Sequence, residues 1–246
     1  MSDSVRCDTL SGNFKIFQPE DGQRYSTDDL LTAWLAVRTV ESDPPARFLD
    51  LGSGLASVPM IVLWKFPDLS GTGVEIRPNR YELAEKSLEI NGLTQRFQII
   101  HGDLRELELE EKFDLITSTP PYYQSTEGPL SGNDDKAAAR FELNGSIDDY
   151  FKTAAKHLSE KGVFITVYPF LYAARVFDAA QNCGMFINSK VDFIPKEGKP
   201  PLISIFAASF SKTGISSELL VMRDKAGNHT EEYNNARMLC GFKAKK

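Results

Sequence analysis

Short apolar runs alternate with amphipathic segments along the middle of the chain, and this alternation restricts the possible fold more than any other feature. The apolar runs have the length of buried strands, and the amphipathic segments repeat apolar residues three and four positions apart. Strands are predicted at residues 48–51, 71–76, 97–101, 113–118 and 163–168, and helices at 57–66, 79–91, 147–158 and 173–182. Strands separated by helices form parallel sheets that are covered on both faces. The sequence therefore predicts an α/β fold with a doubly wound, mostly parallel sheet.

The last third of the chain has a different pattern. Three β-rich runs follow at residues 186–193, 202–210 and 219–222, without a clear helix between them. Short connections favour antiparallel pairing, so these runs are predicted to add antiparallel strands at one edge of the sheet. We expect a single domain, 1–246, with an N-terminal covering segment at 1–40, a core at 47–210 and a C-terminal edge extension at 211–246.

Short polar signals mark several of the predicted helix ends. Ser26 or Thr27 can cap a helix that continues through apolar residues of the covering segment, and Asn79 can cap the helix after the second strand. The pair Lys161-Gly162 is a natural stop for the helix that begins at residue 147.

Composition argues against several classes of protein. The net charge of −6 does not suit a protein that coats nucleic acid non-specifically, although the lysines at the C-terminus could form a local basic patch. No run reaches the ~18 apolar residues of a membrane span, and the N-terminus does not resemble a signal peptide. No metal site is expected, because the cysteines and histidines are scattered: Cys7, Cys183, Cys240, His101, His157 and His229. We expect reduced thiols, a cytoplasmic location, no membrane partner and a monomer.

A glycine turn follows the first predicted strand of the core. In the stretch FLDLGSGLAS, Gly52 and Gly54 open a helix and Asp50 precedes them, so the backbone can approach a ligand closely. Glu75 ends the second strand, where a carboxylate can bind both hydroxyls of a ribose, and Asp103 follows the third strand. Position 57 is Ser and no Walker lysine is present, so an adenosine without phosphates fits better than a dinucleotide.

This ordered set resembles the S-adenosylmethionine site of class I methyltransferases, over residues 47–168. The resemblance implies the Rossmann-like fold of that class, with S-adenosylmethionine as cofactor and S-adenosylhomocysteine as product. It implies that Gly52 and Gly54 lie against the methionine moiety, that Glu75 binds the ribose, and that Asp103 and Leu104 contact the adenine.

The stretch TPPYY ends the fourth strand, on the edge where such a cofactor would present its methyl group. An exocyclic amine is a poor nucleophile because its lone pair is delocalised, and two hydrogen-bond acceptors could hold it in line with the methyl group. The Thr119 side chain and the Pro120 carbonyl are candidate acceptors. Pro121 stiffens the loop and Tyr122 offers a flat face for a base.

The sequence Thr119-Pro120-Pro121-Tyr122 resembles the Asn/Asp/Ser-Pro-Pro-aromatic motif of amino methyltransferases, with Thr in the place of the usual Asn or Asp. Together with the stretches at 24–34, 138–142 and 219–233, it resembles the bacterial tRNA1(Val) adenine-N6-methyltransferase family from about residue 14 to residue 233. That resemblance implies an RNA substrate, a tRNA, with Tyr123 and Arg140 near it. It also implies that Thr27 and Asp28 line the cofactor pocket.

Two alternatives remain open. Protein glutamine N5-methyltransferases carry a similar Pro-Pro-Tyr loop, although they usually have a helical substrate domain before the core. A non-catalytic protein that binds the cofactor or a partner is the other alternative, because Thr119 departs from the usual motif. A partner subunit that supplies a basic surface also remains open.

Overall fold

A computed structural model describes residues 4–122 and 145–245. Tyr123 and Arg140, which are predicted to lie near the substrate, are outside the described residues. The strands are β1 Val5–Thr9, β2 Lys15–Pro19, β3 Arg47–Leu51, β4 Ser70–Glu75, β5 Phe97–His101, β6 Phe113–Ser118, β7 Leu158–Pro169, β8 Phe186–Ile194, β9 Ile203–Ser209 and β10 Ser216–Val221. The helices are α1 Thr27–Val40, α2 Ser57–Lys65, α3 Pro78–Ile90, α4 Ile147–His157, α5 Ala173–Asn182 and α6 Glu231–Leu239, with short 3₁₀ turns at Leu104–Glu106 and Phe170–Tyr172.

The main sheet has eight strands in the order β10-β8-β9-β7-β6-β3-β4-β5. Strands β3 to β7 are mutually parallel, which confirms the predicted doubly wound core. Strand β9 runs antiparallel to both β7 and β8, as the short late connections predict. The carboxyl ends of all the other strands consequently meet at one edge of the sheet, where ligands bind in open α/β folds.

The two faces of the sheet are covered by different helices. One apolar cluster contains buried residues of α1, α2 and α3 together with Tyr233 and Ala236 of α6. The other contains buried residues of α4 and α5 packed on the opposite face, with Phe151 and Phe164 in edge-to-face contact at 5.0 Å. Burial on both faces explains why the central strands β3 and β6 are mostly apolar, whereas β5, at the edge of the sheet, is exposed at three of its five residues.

Polar contacts determine where several of these helices begin. Ser26 and Asp29 form a capping box at the start of α1, which confirms the predicted Ser26 cap, and Ser146 and Asp149 form another at the start of α4. The predicted Asn79 cap is wrong, because α3 begins at Pro78 and its N-cap is Arg77. Proline suits the first helical position, since the amide there has no partner within the helix and the missing N–H costs nothing.

Other expected details also differ in the structure. Lys161 and Gly162 lie inside β7, which starts at Leu158, and the register between β6 and β7 shifts there. Strand β10 pairs parallel to β8, so antiparallel pairing in the late region involves β9 alone among the described strands. Because β9 is antiparallel, it ends at the amino edge of the sheet, and the six-residue loop 210–215 connects it there to the start of β10.

The covering segment contains a hairpin that the sequence pattern does not indicate. Strands β1 and β2 pair antiparallel, and the Phe17 amide donates to the Ser87 hydroxyl of α3 at 2.9 Å. No helix within residues 4–122 and 145–245 has the length and apolar character needed to cross a membrane.

Candidate functional site

The turn between β3 and α2 has an unusual backbone. Gly52, Gly54 and Ala56 all have positive φ, at 71°, 56° and 60°. A side chain at Gly52 would also meet the Tyr150 hydroxyl of α4, since its Cβ would lie 2.7 Å from that oxygen. Only glycine satisfies both conditions without strain, so the left-handed turn and the closeness of α4 explain this residue.

Glu75, at the end of β4, holds this turn in place. Its carboxylate accepts hydrogen bonds from the Gly54 amide at 2.6 Å and from the Arg77 amide at 2.9 Å, and the Arg77 guanidinium lies 3.2 Å away. The side chain is 3% exposed. A carboxylate has about four acceptor positions. The two amides and the Arg77 Nε fill three of them, so one position on Oε2 is left for a ligand hydroxyl. The ribose-binding role of Glu75 stays a prediction, and the structure adds a role in bracing the turn.

Asp50 is the last residue but one of β3, directly before the glycine turn, and is buried. Burial raises the pKa of this carboxyl to about 7, against the opposing effect of a hydrogen bond from the Thr117 hydroxyl of β6. Below neutral pH the carboxyl therefore holds its proton. As pH rises through about 7, it ionises and the turn gains a negative charge.

The start of α1 is fastened to the start of α2. Asp29 accepts the Ser26 amide at 2.7 Å through one carboxylate oxygen and the Ser57 hydroxyl at 2.8 Å through the other. Burial raises the pKa of Asp29. Ser57 stands where a dinucleotide-binding motif would have glycine. Here its hydroxyl links α1 to α2, the helix that follows the glycine turn.

We call the stretch Thr119-Pro120-Pro121-Tyr122 the target loop. Its last residue, Tyr122, connects it to the start of α1. Its hydroxyl donates to the Asp28 carboxylate at 2.7 Å, and its ring lies edge-on against Tyr168 of β7 with a centroid distance of 5.7 Å. Burial raises the pKa of Asp28, while the bond from Tyr122 acts in the opposite direction. Asp28, which is predicted to line the cofactor pocket, therefore contacts the target loop through Tyr122.

Thr119 and Pro120 lie directly at the end of β6. In the register of β3 and β6, Leu51 faces Ser118, so Gly52 and Thr119 are the next residues on neighbouring strands. The side chain of Thr119 is half-buried and its hydroxyl has no hydrogen-bond partner in the part of the chain that the structure describes. Its acceptor capacity is available, as the predicted role requires.

The structure places the remaining predicted residues on the same edge. Asp103 is the N-cap of the 3₁₀ turn and pairs with Arg105, with the Arg105 Nε 2.9 Å from one carboxylate oxygen. This hydrogen-bonded guanidinium lowers the pKa of Asp103. Leu104 is buried, and Thr27 is the half-buried first residue of α1. The contacts of Asp103 and Leu104 with an adenine stay predictions.

The sequence pattern does not assign four residues that complete this arrangement: Asp29, Ser57, Thr117 and Tyr150. The Ser26-x-x-Asp29 spacing is a capping-box signal and indicates Asp29 as a helix-start residue. Ser57 and Thr117 lie within three residues of Gly54 and Thr119, but the partners that they bond to, Asp29 and Asp50, come from distant elements. Tyr150 comes from α4, so no local spacing reveals these contacts.

The acidic side chains of this site suit a cationic ligand that also carries a ribose. Asp28, Asp29, Asp50 and Glu75 lie close enough together that their charges interact. S-adenosylmethionine carries a sulfonium and an ammonium group, and positive charge relieves the repulsion among neighbouring carboxylates. The glycine turn allows close approach of the ligand, so the residues present fit the cofactor that the sequence indicates.

Comparisons with known proteins agree with this geometry. The family model "Methyltransferase small domain" matches residues 26–180, more than half of the chain. Proteins named tRNA1(Val) (adenine(37)-N6)-methyltransferase are similar: the one from Actinobacillus pleuropneumoniae serotype 7 is 25% identical, and the one from Bacteroides thetaiotaomicron is 26% identical. Both alignments cover 89% of this chain and 91% of the relative.

Solved structures show the same fold. A predicted O-methyltransferase from Agrobacterium tumefaciens has a TM-score of 0.67 at 18% identity, covering 88% of this chain and 98% of that one. The ribosomal protein L11 methylase from Lactobacillus delbrueckii subsp. bulgaricus has a TM-score of 0.56 at 17% identity, covering 78% and 82%. With the family match and the acidic glycine-turn site, these likenesses identify the chain as a member of the methyltransferase small domain family and an S-adenosylmethionine-dependent methyltransferase.

Proposed function

We propose that this enzyme methylates the N6 amine of an adenine in RNA, and that the RNA is a tRNA. The observation that carries the proposal is the adjacency of Gly52 and Thr119, each of which directly follows a paired residue of β3 and β6. The target loop therefore begins beside the cofactor turn. The names of the relatives, which cover most of this chain, support adenine in tRNA as the acceptor.

Bound S-adenosylmethionine supplies a methyl group on a sulfonium. Gly52, Gly54 and Glu75 would hold its methionine and ribose parts, and Asp103 with Leu104 its adenine. Thr27 and Asp28 would cover the pocket from the start of α1.

The target loop orients the amine. The Thr119 hydroxyl and the Pro120 carbonyl accept its two N–H hydrogens, which favours a localised lone pair on the nitrogen. The Tyr122 ring offers a stacking face for the base. No strong general base is needed, because the nitrogen loses its proton more easily after it has been methylated. Tyr123 and Arg140 are proposed to lie near the RNA.

Mass spectrometry of RNA nucleosides tests the proposal. Cells that lack the protein should lose N6-methyladenosine from one tRNA, and the purified enzyme should restore it on RNA from those cells. Methylation of a protein glutamine in the same assay would support the glutamine N5-methyltransferase alternative. Cofactor binding without transfer to RNA or protein would support a non-catalytic role.

The hydrogen bond between Tyr122 and Asp28 makes a prediction about target positioning. Tyr122→Phe keeps the stacking ring but removes a hydrogen bond to a carboxylate, which is worth about 1.5–3 kcal/mol. We expect kcat/KM for RNA to fall about 10-fold or more, with cofactor affinity nearly unchanged. Asp28→Asn should lower kcat/KM in the wild-type background and change it little in the Tyr122→Phe background. Fully additive losses in this double-mutant cycle would show that the two side chains act independently.

A further inference from the structure

The edge of the sheet beyond the target loop is built from three segments. The turn Phe170–Tyr172 follows β7, the loop 195–202 connects β8 to β9, and the loop 222–230 follows β10. Backbone hydrogen bonds join them: the Phe170 amide donates to the Leu202 carbonyl at 3.1 Å, and the Glu197 amide donates to the Arg223 carbonyl at 2.8 Å. These segments therefore form one continuous surface next to the end of β6.

The position of this surface follows from the strand order. The cofactor turn and its acidic partners occupy the carboxyl ends of β3, β4 and β5, and the target loop follows β6. A substrate that presents one group at Thr119 can extend away from the cofactor across the carboxyl ends of β7, β8 and β10 and the amino end of β9. With strands about 4.8 Å apart, this half of the edge is about 20 Å wide.

Charge is distributed unequally between the two parts of the chain. Residues 1–185 contain 18 Lys and Arg against 28 Asp and Glu, whereas residues 186–246 contain 10 against 6. The first part therefore has a net charge of −10 and the second +4. A polyanion is repelled by most of the molecule and is accommodated best where the late strands end.

Individual cations on this surface are available to a ligand. Lys196 and Lys199 are exposed and have no carboxylate partner in the part of the chain that the structure describes. Lys225 has an 82% exposed side chain and only a long contact, 3.6 Å, with Glu197. Arg223 is half-buried and donates to the Gly227 carbonyl at 2.7 Å, which fixes its position.

Two apolar side chains lie between these cations and the target loop. Leu171 is 84% exposed, the highest value among the large apolar side chains of residues 4–122 and 145–245, and Leu202 is 58% exposed. They belong to neighbouring segments, because the Phe170 amide bonds to the Leu202 carbonyl. Exposed apolar side chains next to lysines can contact both the bases and the backbone of a single-stranded RNA segment.

We propose that one surface binds the rest of the RNA while one nucleotide enters the target loop. It is formed by Leu171, Leu202, Lys196, Lys199, Arg223 and Lys225. We call this surface the basic edge. The proposal rests on the proposed function in that it takes RNA as the substrate. RNA suits the surface better than a protein does, because Lys196 and Lys199 have no carboxylate partner among the described residues, Lys225 has only a long one, and residues 1–185 are acidic.

Charge reversal tests the basic edge. The variant Lys196→Glu/Lys199→Glu is compared with Lys86→Glu/Lys161→Glu, which makes the same change in net charge at exposed lysines elsewhere, on α3 and near the amino end of β7. Binding of unmodified tRNA transcript is measured by fluorescence anisotropy at several salt concentrations. The basic-edge variant should bind about 10-fold or more weakly, with a smaller salt dependence because fewer phosphates are contacted. The control should stay within about 2-fold of wild type, since its lysines contact no phosphate.

Transfer kinetics separate this proposal from the proposed function. The basic-edge variant should raise KM for RNA and leave kcat at saturating RNA and the cofactor Kd unchanged. Equal RNA affinity for the two variants would overturn the proposal that the basic edge binds RNA. A protein would then be the partner that contacts Leu171 and Leu202. Lysine-dependent RNA binding without N6-methyladenosine would support the surface and reject the proposed function. A wild-type enzyme that neither binds nor methylates RNA would overturn both.

Discussion

Replacement of Glu75 by alanine is expected to abolish measurable cofactor binding. The buried carboxylate accepts from the Gly54 and Arg77 amides and from the Arg77 Nε at 3.2 Å. The ribose diol is proposed to donate two hydrogen bonds to it, one at the remaining acceptor position and one in place of the Arg77 Nε. Hydrogen bonds to a charged group contribute about 1.5–3 kcal/mol each. Loss of the two ribose bonds alone would raise the Kd about 100-fold or more, at tenfold per 1.4 kcal/mol. Calorimetric titration with S-adenosylmethionine and S-adenosylhomocysteine measures the effect.

Two further variants make this result specific. Glu75→Gln keeps the size of the side chain and one acceptor oxygen but loses the charge, so its affinity should lie between those of Glu75→Ala and wild type. Glu82→Ala removes an exposed carboxylate from α3 and should bind like wild type. Thermal unfolding of each variant separates lost binding from lost folding. Wild-type affinity in Glu75→Ala would exclude Glu75 from the cofactor site.

Removal of the Thr119 hydroxyl is expected to have the largest effect on methyl transfer. Thr119→Ala deletes one of the two proposed acceptors for the amine. An interaction made mainly in the transition state lowers kcat more than it changes binding. With about 1.5–3 kcal/mol for this hydrogen bond, kcat should fall about 10- to 100-fold while the cofactor Kd stays unchanged. Single-turnover transfer to tRNA transcript measures the chemical step.

Substitutions at and beside Thr119 supply the controls. Thr119→Ser keeps the hydroxyl and should retain most of the activity. Ser118→Ala removes the neighbouring hydroxyl, which bonds to Thr166 at 2.9 Å inside the sheet, and should affect stability more than transfer. Thr119→Asn introduces the amide usual in the family and should transfer methyl groups at least as fast as wild type. A slower Asn variant would mean that threonine suits an acceptor other than adenine.

The strand and helix order of the core could be predicted from the sequence with few errors. Strands β3 to β6 agree closely with the predicted runs. Strands β3 and β6 lie in the middle of the sheet and are mostly buried, which makes them apolar on both faces. The hairpin β1–β2 was not predicted because β1 has only five residues and is mostly exposed, so burial imposes no apolar run on it. Helix α6 was also missed, although Thr230 followed by Glu231 and Glu232 is a readable start signal.

Part of the candidate site could also be predicted from the sequence, because several of its residues directly follow or end a strand. Gly52 and Gly54 follow β3, Glu75 ends β4 and Thr119 follows β6, so their places depend only on where a strand stops. Parallel strands bring such positions to a common edge whatever the rest of the fold does. The basic edge could not be read in this way, because its three segments come together only through the order of the late strands.

The sequence by itself determined the α/β alternation, the glycine turn and the strand end that carries Thr119, because each depends on local periodicity or on a local backbone requirement. Only the tertiary structure decided that Glu75 braces Gly54, that Asp29 bonds to Ser57 and that Tyr122 bonds to Asp28. It also decided the parallel direction of β10. The three hydrogen-bonded pairs join residues 21 to 94 positions apart in the chain. They depend on how whole helices and strands pack against one another, and no short pattern in the sequence records that packing.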